Sequence, residues 1–274
     1  MRTLFGASLI ALAFLAVPSA QAQICTESQF RGVYSALAKG EFVSGLPLPP
    51  QLLGPTTRIG RVEVDGRGNS LLRAITSLNG IVVPEDYGGT YTVNPDCTTT
   101  TILNIPFPGI PGTIPFTFTG ILSDNFKQLD IQLVNPTGST IIITLRQQNR
   151  ANCSSSDLRG GHRVEMRGVT GVPIGPAVPF ARLGRVVFDG QGTFSAQTTV
   201  SNGGTISADN FSGSYTVASS CEFTMNYGGG NTWQGVLMDN SSAANLMVTG
   251  PTIIPPGIPF PVAGVVISGT LKKQ

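Results

Sequence analysis

From Cys25 to its last residue the chain is one pattern written twice, and this repetition limits the fold more than any other feature. Residues 25–32 (CTESQFRG) recur 128 positions later as 153–160 (CSSSDLRG). Residues 58–68 (RIGRVEVDGRG) recur 124 positions later as 182–192 (RLGRVVFDGQG). The same offset of 124 relates GTYTV at 89–93 to GSYTV at 213–217, and Cys97 to Cys221. Near the ends, TLRQQ at 144–148 matches TLKKQ at 270–274, offset 126. Offsets that change by a few residues imply insertions in loops between conserved elements. The expected organisation is two modules, 23–148 and 149–274, joined by a linker at 149–152, each large enough for its own core.

Each module reads as eight short strands. In the first they are expected at 32–42, 57–65, 70–77, 86–94, 98–105, 115–122, 128–134 and 140–147. The chain holds 34 Gly and 20 Pro, too many for long helices, while its 41% hydrophobic content argues against disorder. Gly60, Val62 and Val64 alternate with Ile59, Arg61 and Glu63, the period of a half-buried strand. Asp65-Gly66 and Asp189-Gly190 are hairpin turns, because the glycines accept positive φ. Eight sequential antiparallel strands close most simply into an up-and-down barrel, which leaves no open edge. The expected fold is therefore all-β, two tandem eight-stranded barrels, with β-sandwiches as the alternative. In such a barrel the short Asp-Gly turns share one end. The Pro-rich apolar stretches 45–55, 106–115, 171–180 and 250–261 share the other.

Residues 1–22 have the form of a secretory signal peptide: Arg2, the apolar run LFGASLIALAFLAV at 4–17, Pro18, and the cleavage site Ala20-Gln21-Ala22. The mature chain is expected to begin at Gln23, with no transmembrane segment, in a secreted or periplasmic setting. Losing Arg2 from 17 basic residues leaves 16 against 15 acidic ones, so the mature chain is nearly neutral and unsuited to nucleic acid. Four cysteines in an exported chain imply disulfides. Two equivalent modules most simply carry equivalent bonds, Cys25–Cys97 and Cys153–Cys221.

The segments VDGRGN and GTYTVNPDCT resemble a group of secreted bacterial proteins with an FDGxG turn followed by a GTYTVxxDCT strand. The second module keeps Phe188-Asp189-Gly190 and Ser214-Tyr215-Thr216-Val217 but has Ser219-Ser220 in place of Pro95-Asp96. This resemblance implies no activity. Gly32-Val33-Tyr34 with Arg146, and Gly160-Gly161-His162 with Lys272, are similar to the Gly-x-Trp and basic residue of lipocalin-type barrels, without the Trp. That likeness implies a barrel and says little about function.

The inventory of chemistry is short. No nucleophile elbow, zinc-helix motif or phosphate loop occurs, and neither a metal site nor a cofactor is expected. The one histidine, His162, aligns with Tyr34 and reads as a packed residue at a strand start. Acids that could pair for hydrolysis (Glu41, Glu63, Glu85, Asp86, Asp124) have counterparts that look scattered or absent in the second module. Trp233, Phe180, Tyr227 and Phe260 give the second module some aromatic binding potential but are too sparse for a sugar-binding aromatic platform. The expectation is an exported non-enzymatic protein holding a small apolar ligand at the looped end of a barrel, with Tyr34, Tyr91, His162 and Tyr215 as binding residues. The alternatives are a structural or protein-interaction module of the envelope, and a barrel isomerase or cyclase acting on an apolar substrate. If the rim loops simply plug the barrels, the ligand reading loses its main support.

Overall fold

Alternating sequence and tight turns produce two closed barrels. The computed structural model describes residues 24–43, 45–46, 48–107, 110–150, 152–251 and 262–274. The proposed signal peptide, Phe260 and most of the 250–261 stretch lie outside the described residues. The first barrel consists of β1 (Arg31–Phe42), β2 (Gly54–Asp65), β3 (Asn69–Leu78), β4 (Ile81–Val93), β5 (Thr98–Ile105), β6 (Ile114–Ser123), β7 (Gln128–Asn135) and β8 (Ile142–Gln147). The second consists of β9 (Gly160–Thr170), β10 (Val178–Phe188), β11 (Thr193–Asn202), β12 (Thr205–Val217), β13 (Glu222–Tyr227), β14 (Asn231–Met238), β15 (Ala243–Gly250) and β16 (Val265–Lys273). Every strand pairs antiparallel with its sequence neighbour, and the β1–β8 and β9–β16 ladders close the two sheets. That closure excludes the sandwich alternative.

One connection differs from expectation. Residues 78–85 read as a loop, but β3 and β4 run on to a two-residue turn at Asn79-Gly80, with Leu78 opposite Ile81. Asn79 (φ 47°) and Gly80 (φ 84°) have the positive angles of a type I′ hairpin, which matches strand twist. Pro84 hid this strand. It pairs with Ile75 on one side, whereas β5 joins β4 only from Gly89 onward, so the missing N–H faces an unpaired edge. The second barrel repeats this splay: β13 pairs β12 only over residues 213–217.

Both turn ends are sealed in the same way. A short 3-10 turn, Glu27–Gln29 or Ser155–Leu158, crosses the opening and inserts Phe30 or Leu158, each fully buried. Disulfides Cys25–Cys97 and Cys153–Cys221 tie each turn to the strand beyond the barrel's centre. With separations of 72 and 68 residues, each bond should contribute about 4 kcal/mol by restricting the unfolded chain. Tyr91 donates to the Phe30 carbonyl at 2.9 Å, and Tyr215 donates to the Ser155 carbonyl at 2.9 Å. The Asp-Gly turns are locked by their own acid. Asp189 accepts from Thr193 Oγ1 and from the backbone N–H groups of Gln191, Gly192 and Thr193, and these bonds hold its carboxyl down to about 2.

The barrels pack side against side. The outer face of β1–β3 meets the outer face of β14–β16. Asn245 Nδ2 donates to Ser35 Oγ at 3.0 Å, Thr57 Oγ1 and Ser268 Oγ share a hydrogen bond at 2.8 Å, and Ser77 Oγ donates to the Val265 carbonyl at 3.1 Å. Gln148 Nε2 reaches the Leu237 carbonyl at 2.8 Å. Ile59, Val236, Met247 and Val266 are buried between these polar pairs. At the looped end Gly80 accepts from Ala263 N–H at 2.8 Å, and a Cβ there would lie 2.6 Å from the Val172 carbonyl oxygen.

Candidate functional site at the mouth of the second barrel

The inner face of β2 carries Thr56, Arg58, Gly60, Val62 and Val64, so the alternation that buries the valines also buries a guanidinium. Arg58 is met by Glu85 on β4, with Nε 2.6 Å from Oε2 and a second contact of 2.9 Å to Oε1. Thr76 Oγ1 accepts from Arg58 at 2.8 Å and donates to Glu85 at 2.6 Å, and the Tyr87 hydroxyl closes the group at 3.4 Å. The side chains of the pair are 9% and 5% exposed. Burial opposes the Arg58 charge, and Glu85 with Tyr87 outweighs it, leaving the guanidinium more basic than usual. Burial also pushes the Tyr87 phenol up. Above the network the loop between β1 and β2 folds inward. Leu46, Leu48 and Leu52 are buried, and Phe42, Phe107 and Phe116 pack edge to face beside them. Below it a cavity of about 40 Å³ remains, bounded by Arg58, Phe30, Leu72, Tyr91, Leu129 and Ile143 among others. It admits a water or two and is far below the roughly 300–1,000 Å³ of small-molecule sites. The first barrel is plugged at both ends.

The second barrel has the same ion pair 124 residues on. Arg182 on β10 pairs with Asp209 on β12. The expectation that the acids lack counterparts fails for Glu85, since Asp209 stands where the repeat puts it, while Val169, Val187 and Asn210 stand for Glu41, Glu63 and Asp86. Arg182 is again 9% exposed, but Asp209 is 37% exposed. Two causes combine. The loop from β9 to β10 has seven residues (171–177), against eleven (43–53) in the first barrel, and Val172 is spent on the contact with Gly80 while Ile174 stays 65% exposed. Asp209 and Phe211 also lie on the part of β12 that β13 does not pair.

Among the described residues, aromatic rings surround this ion pair. The Arg182 guanidinium carbon lies 5.6 Å from the Phe180 ring centre, 5.2 Å from Phe211 and 5.1 Å from Trp233, within cation–π range. Phe211 and Tyr227 stack at 4.4 Å, and Trp233 stands edge-on to both. Trp233 is fully buried and its Nε1 donates to the Tyr227 hydroxyl at 3.1 Å, whereas Phe180, Phe211 and Tyr227 are partly exposed. Arg182 Nε is buried without a hydrogen-bond partner. The corresponding residues of the first barrel are Thr56, Tyr87, Leu103 and Phe118, all buried. Trp233, Phe180 and Tyr227, which look sparse along the chain, are therefore one cluster in space.

The four residues expected to bind ligand stand elsewhere. Tyr34, Tyr91, His162 and Tyr215 all lie near the turn ends, each buried to 3% exposure or less. The three tyrosine hydroxyls serve the seals. Tyr34 donates to the Phe126 carbonyl at 2.7 Å, and the His162 ring packs edge-on to Phe188 at 5.3 Å. The two ion pairs carry a signal in the sequence: Arg58 and Arg182 open the strongest repeat segment on the parity that faces inward. Among the described residues no group of three His, Cys, Asp or Glu is placed to hold a metal, and no helix is long and apolar enough to cross a membrane.

No protein-family model and no curated protein matches the chain. Among solved structures, it is similar to isotype 1 transferrin binding protein B from serogroup B Neisseria meningitidis, at 7% identity and a TM-score of 0.32, covering 90% of this chain and 77% of that one. It is also similar to a DUF3598-family protein of unknown function from Nostoc punctiforme, at 11% identity and a TM-score of 0.28, covering 91% and 99%. Scores this low carry no weight for function.

Proposed function

We propose that the chain is an exported, non-enzymatic binding protein whose recognition site is the mouth of the second barrel, where it takes a small apolar or aromatic group. One observation carries this reading: a duplicated ion pair is sealed under leucines in one barrel and left in contact with solvent, amid aromatic rings, in the other. The Arg182–Asp209 pair is neutral overall, so the mouth favours an uncharged group seated on Phe211 and Tyr227. The two disulfides fit an oxidising, extracytoplasmic setting. A second reading, a module that grips a protein partner, draws on the small interior space of the first barrel; the inserted group would then be a partner's side chain. The isomerase or cyclase reading gains nothing from a void of about 40 Å³.

Trp233 is the only tryptophan in the chain, so its emission reports on the mouth directly. Native mass spectrometry of the purified chain, followed by titration with p-cresol and 1-decanol, is the test. The expected result is a saturable change in Trp233 emission that Phe211→Ala weakens by roughly tenfold and Tyr87→Phe in the first barrel leaves intact. Absence of a co-purifying compound together with flat emission in both titrations would refute the ligand reading.

A further inference from the structure

Two copies of one module meet inside this chain through two different faces: β1–β3 on the first barrel and β14–β16 on the second. Because the barrels are repeats, the molecule carries a second version of each face, β9–β11 and β6–β8; the other barrel touches each only at one edge, where Arg146 on β8 lies 3.5 Å from Asp239 and Lys39 on β1 feels the charges of Glu165 and Arg167 on β9. We propose that these two free faces bind each other between copies, so that the chain assembles head to tail and repeats its internal barrel–barrel contact.

The residues on the free faces change in matched pairs. The strand offsets and registers place Arg163 where the first barrel has Ser35, and Asp130 where the second has Asn245. The internal Asn245–Ser35 hydrogen bond of 3.0 Å thus becomes an Asp–Arg ion pair between copies. Ala181 replaces Thr57, and Ile142 replaces Ser268, so an internal pair of bonded hydroxyls becomes two apolar side chains. A change on one face alone would leave a hydroxyl unpaired; changing both keeps the contact satisfied. Of the four apolar residues buried in the internal contact, two keep their character, Leu183 standing for Ile59 and Ile121 for Val236, while Gln132 and Thr140 stand for Met247 and Val266. In the single molecule Ile121, Ile142 and Leu183 are 53%, 52% and 52% exposed, which places three large apolar side chains in water at the positions the internal interface buries.

The charges suit this pairing. Arg163 shares Glu165 with Arg167 on the β9 face, leaving that group net positive, while Asp130, which accepts from Gln128 Nε2 and Thr144 Oγ1 at 2.6 Å, is the acid in the surface hollow formed by β5–β8. Within a barrel the two faces abut, at the β8–β1 ladder of the first and the β16–β9 ladder of the second, rather than lying opposite one another. Successive copies therefore turn at each barrel, and the string either closes into a ring or coils. This inference is independent of the mouth site, which opens at the barrel end rather than on the side.

Two variants test it. Leu183→Glu spoils only the β9–β11 face, and Ile142→Lys only the β6–β8 face; both sites are on exposed outer surfaces, and unchanged melting temperatures will show that folding is intact. Should either variant fold poorly, Ala181→Glu and Ile121→Lys replace them. Sedimentation velocity on the full oxidised chain should show mass rising with concentration, and each variant should weaken this association roughly tenfold or more. Mixed one to one, the two variants should form a dimer that grows no further, since each retains one intact and complementary face. A parent chain that stays monomeric throughout, variants that associate like the parent, or a mixture that forms no dimer would each overturn the proposal.

Discussion

At the scale of single residues, the repeat provides its own controls. Tyr34 and His162 occupy the same position at the two sealed ends. The tyrosine hydroxyl finds the Phe126 carbonyl, while His162 Nε2 is buried without a partner and Nδ1 lies 3.3 Å from the Gly160 carbonyl. Burial lowers the imidazole pKa below its usual value near 6.5; the Gly160 carbonyl works against that shift and Lys273 adds to it. The unfolded chain therefore takes up the proton first as pH falls. This contribution to stability is complete above about pH 6.5 and is lost as pH drops toward the folded-state pKa. Denaturant midpoints measured between about pH 7.5 and pH 5 should fall for the parent chain more than for His162→Phe. Equal slopes for the two would show that His162 does not titrate differently on folding. The sequence made His162 legible as a packing residue because Tyr34 aligned with it. It did not mark Arg58 or Arg182, because a charge on an inward-facing parity reads as an exception until its acid is seen across two strands.

At the scale of elements, strand positions were legible wherever turn chemistry was. Asp65-Gly66 and Asp189-Gly190 announced their hairpins; Asn79-Gly80 was masked by Pro84 and by the Gly-rich half of β4. The rim loops were legible as stiff and apolar, but their fates diverged for reasons of length that only the closed barrels make visible. Loop 43–53 can reach across its barrel and bury Leu52 to 1% exposure; loop 171–177 cannot, and leaves Ile174 at 65%. Truncating the two should therefore have unequal effects. Leu52→Ala removes a core side chain and should cost about 2–4 kcal/mol, whereas Ile174→Ala should stay within about 0.5 kcal/mol. Urea denaturation of the two variants measures both. Comparable losses would mean that the two loops play the same part, and the contrast between a plugged and an open mouth would fail with them.

At the scale of the whole molecule, closure and docking pull on stability in opposite directions when the chain is cut. Both sheets close within their own half, so 23–148 and 149–274 each satisfy their strand-ladder hydrogen bonds and keep their own disulfide, and the cut breaks the Ala263 N–H to Gly80 carbonyl bond between them. The cut also uncovers what the barrels bury between them: Ile59 on one half, Val236, Met247 and Val266 on the other, with Ser35 and Asn245 returned to water. Each half should accordingly fold cooperatively but melt below the full chain, and the two should bind when mixed. In the full chain residues 149–152 supply that contact at the high effective concentration of a short linker. If separated halves pair through β1–β3 and β14–β16, the repeat-related faces β9–β11 and β6–β8 inherit a geometry that binds. Calorimetry of each half, and titration of one into the other, decides it. Halves that aggregate under oxidising conditions would mean that closure of the ladders is not enough to fold a barrel. Halves that fold yet ignore each other would mean that the internal contact is held by the linker alone, and would remove the template for contacts between copies.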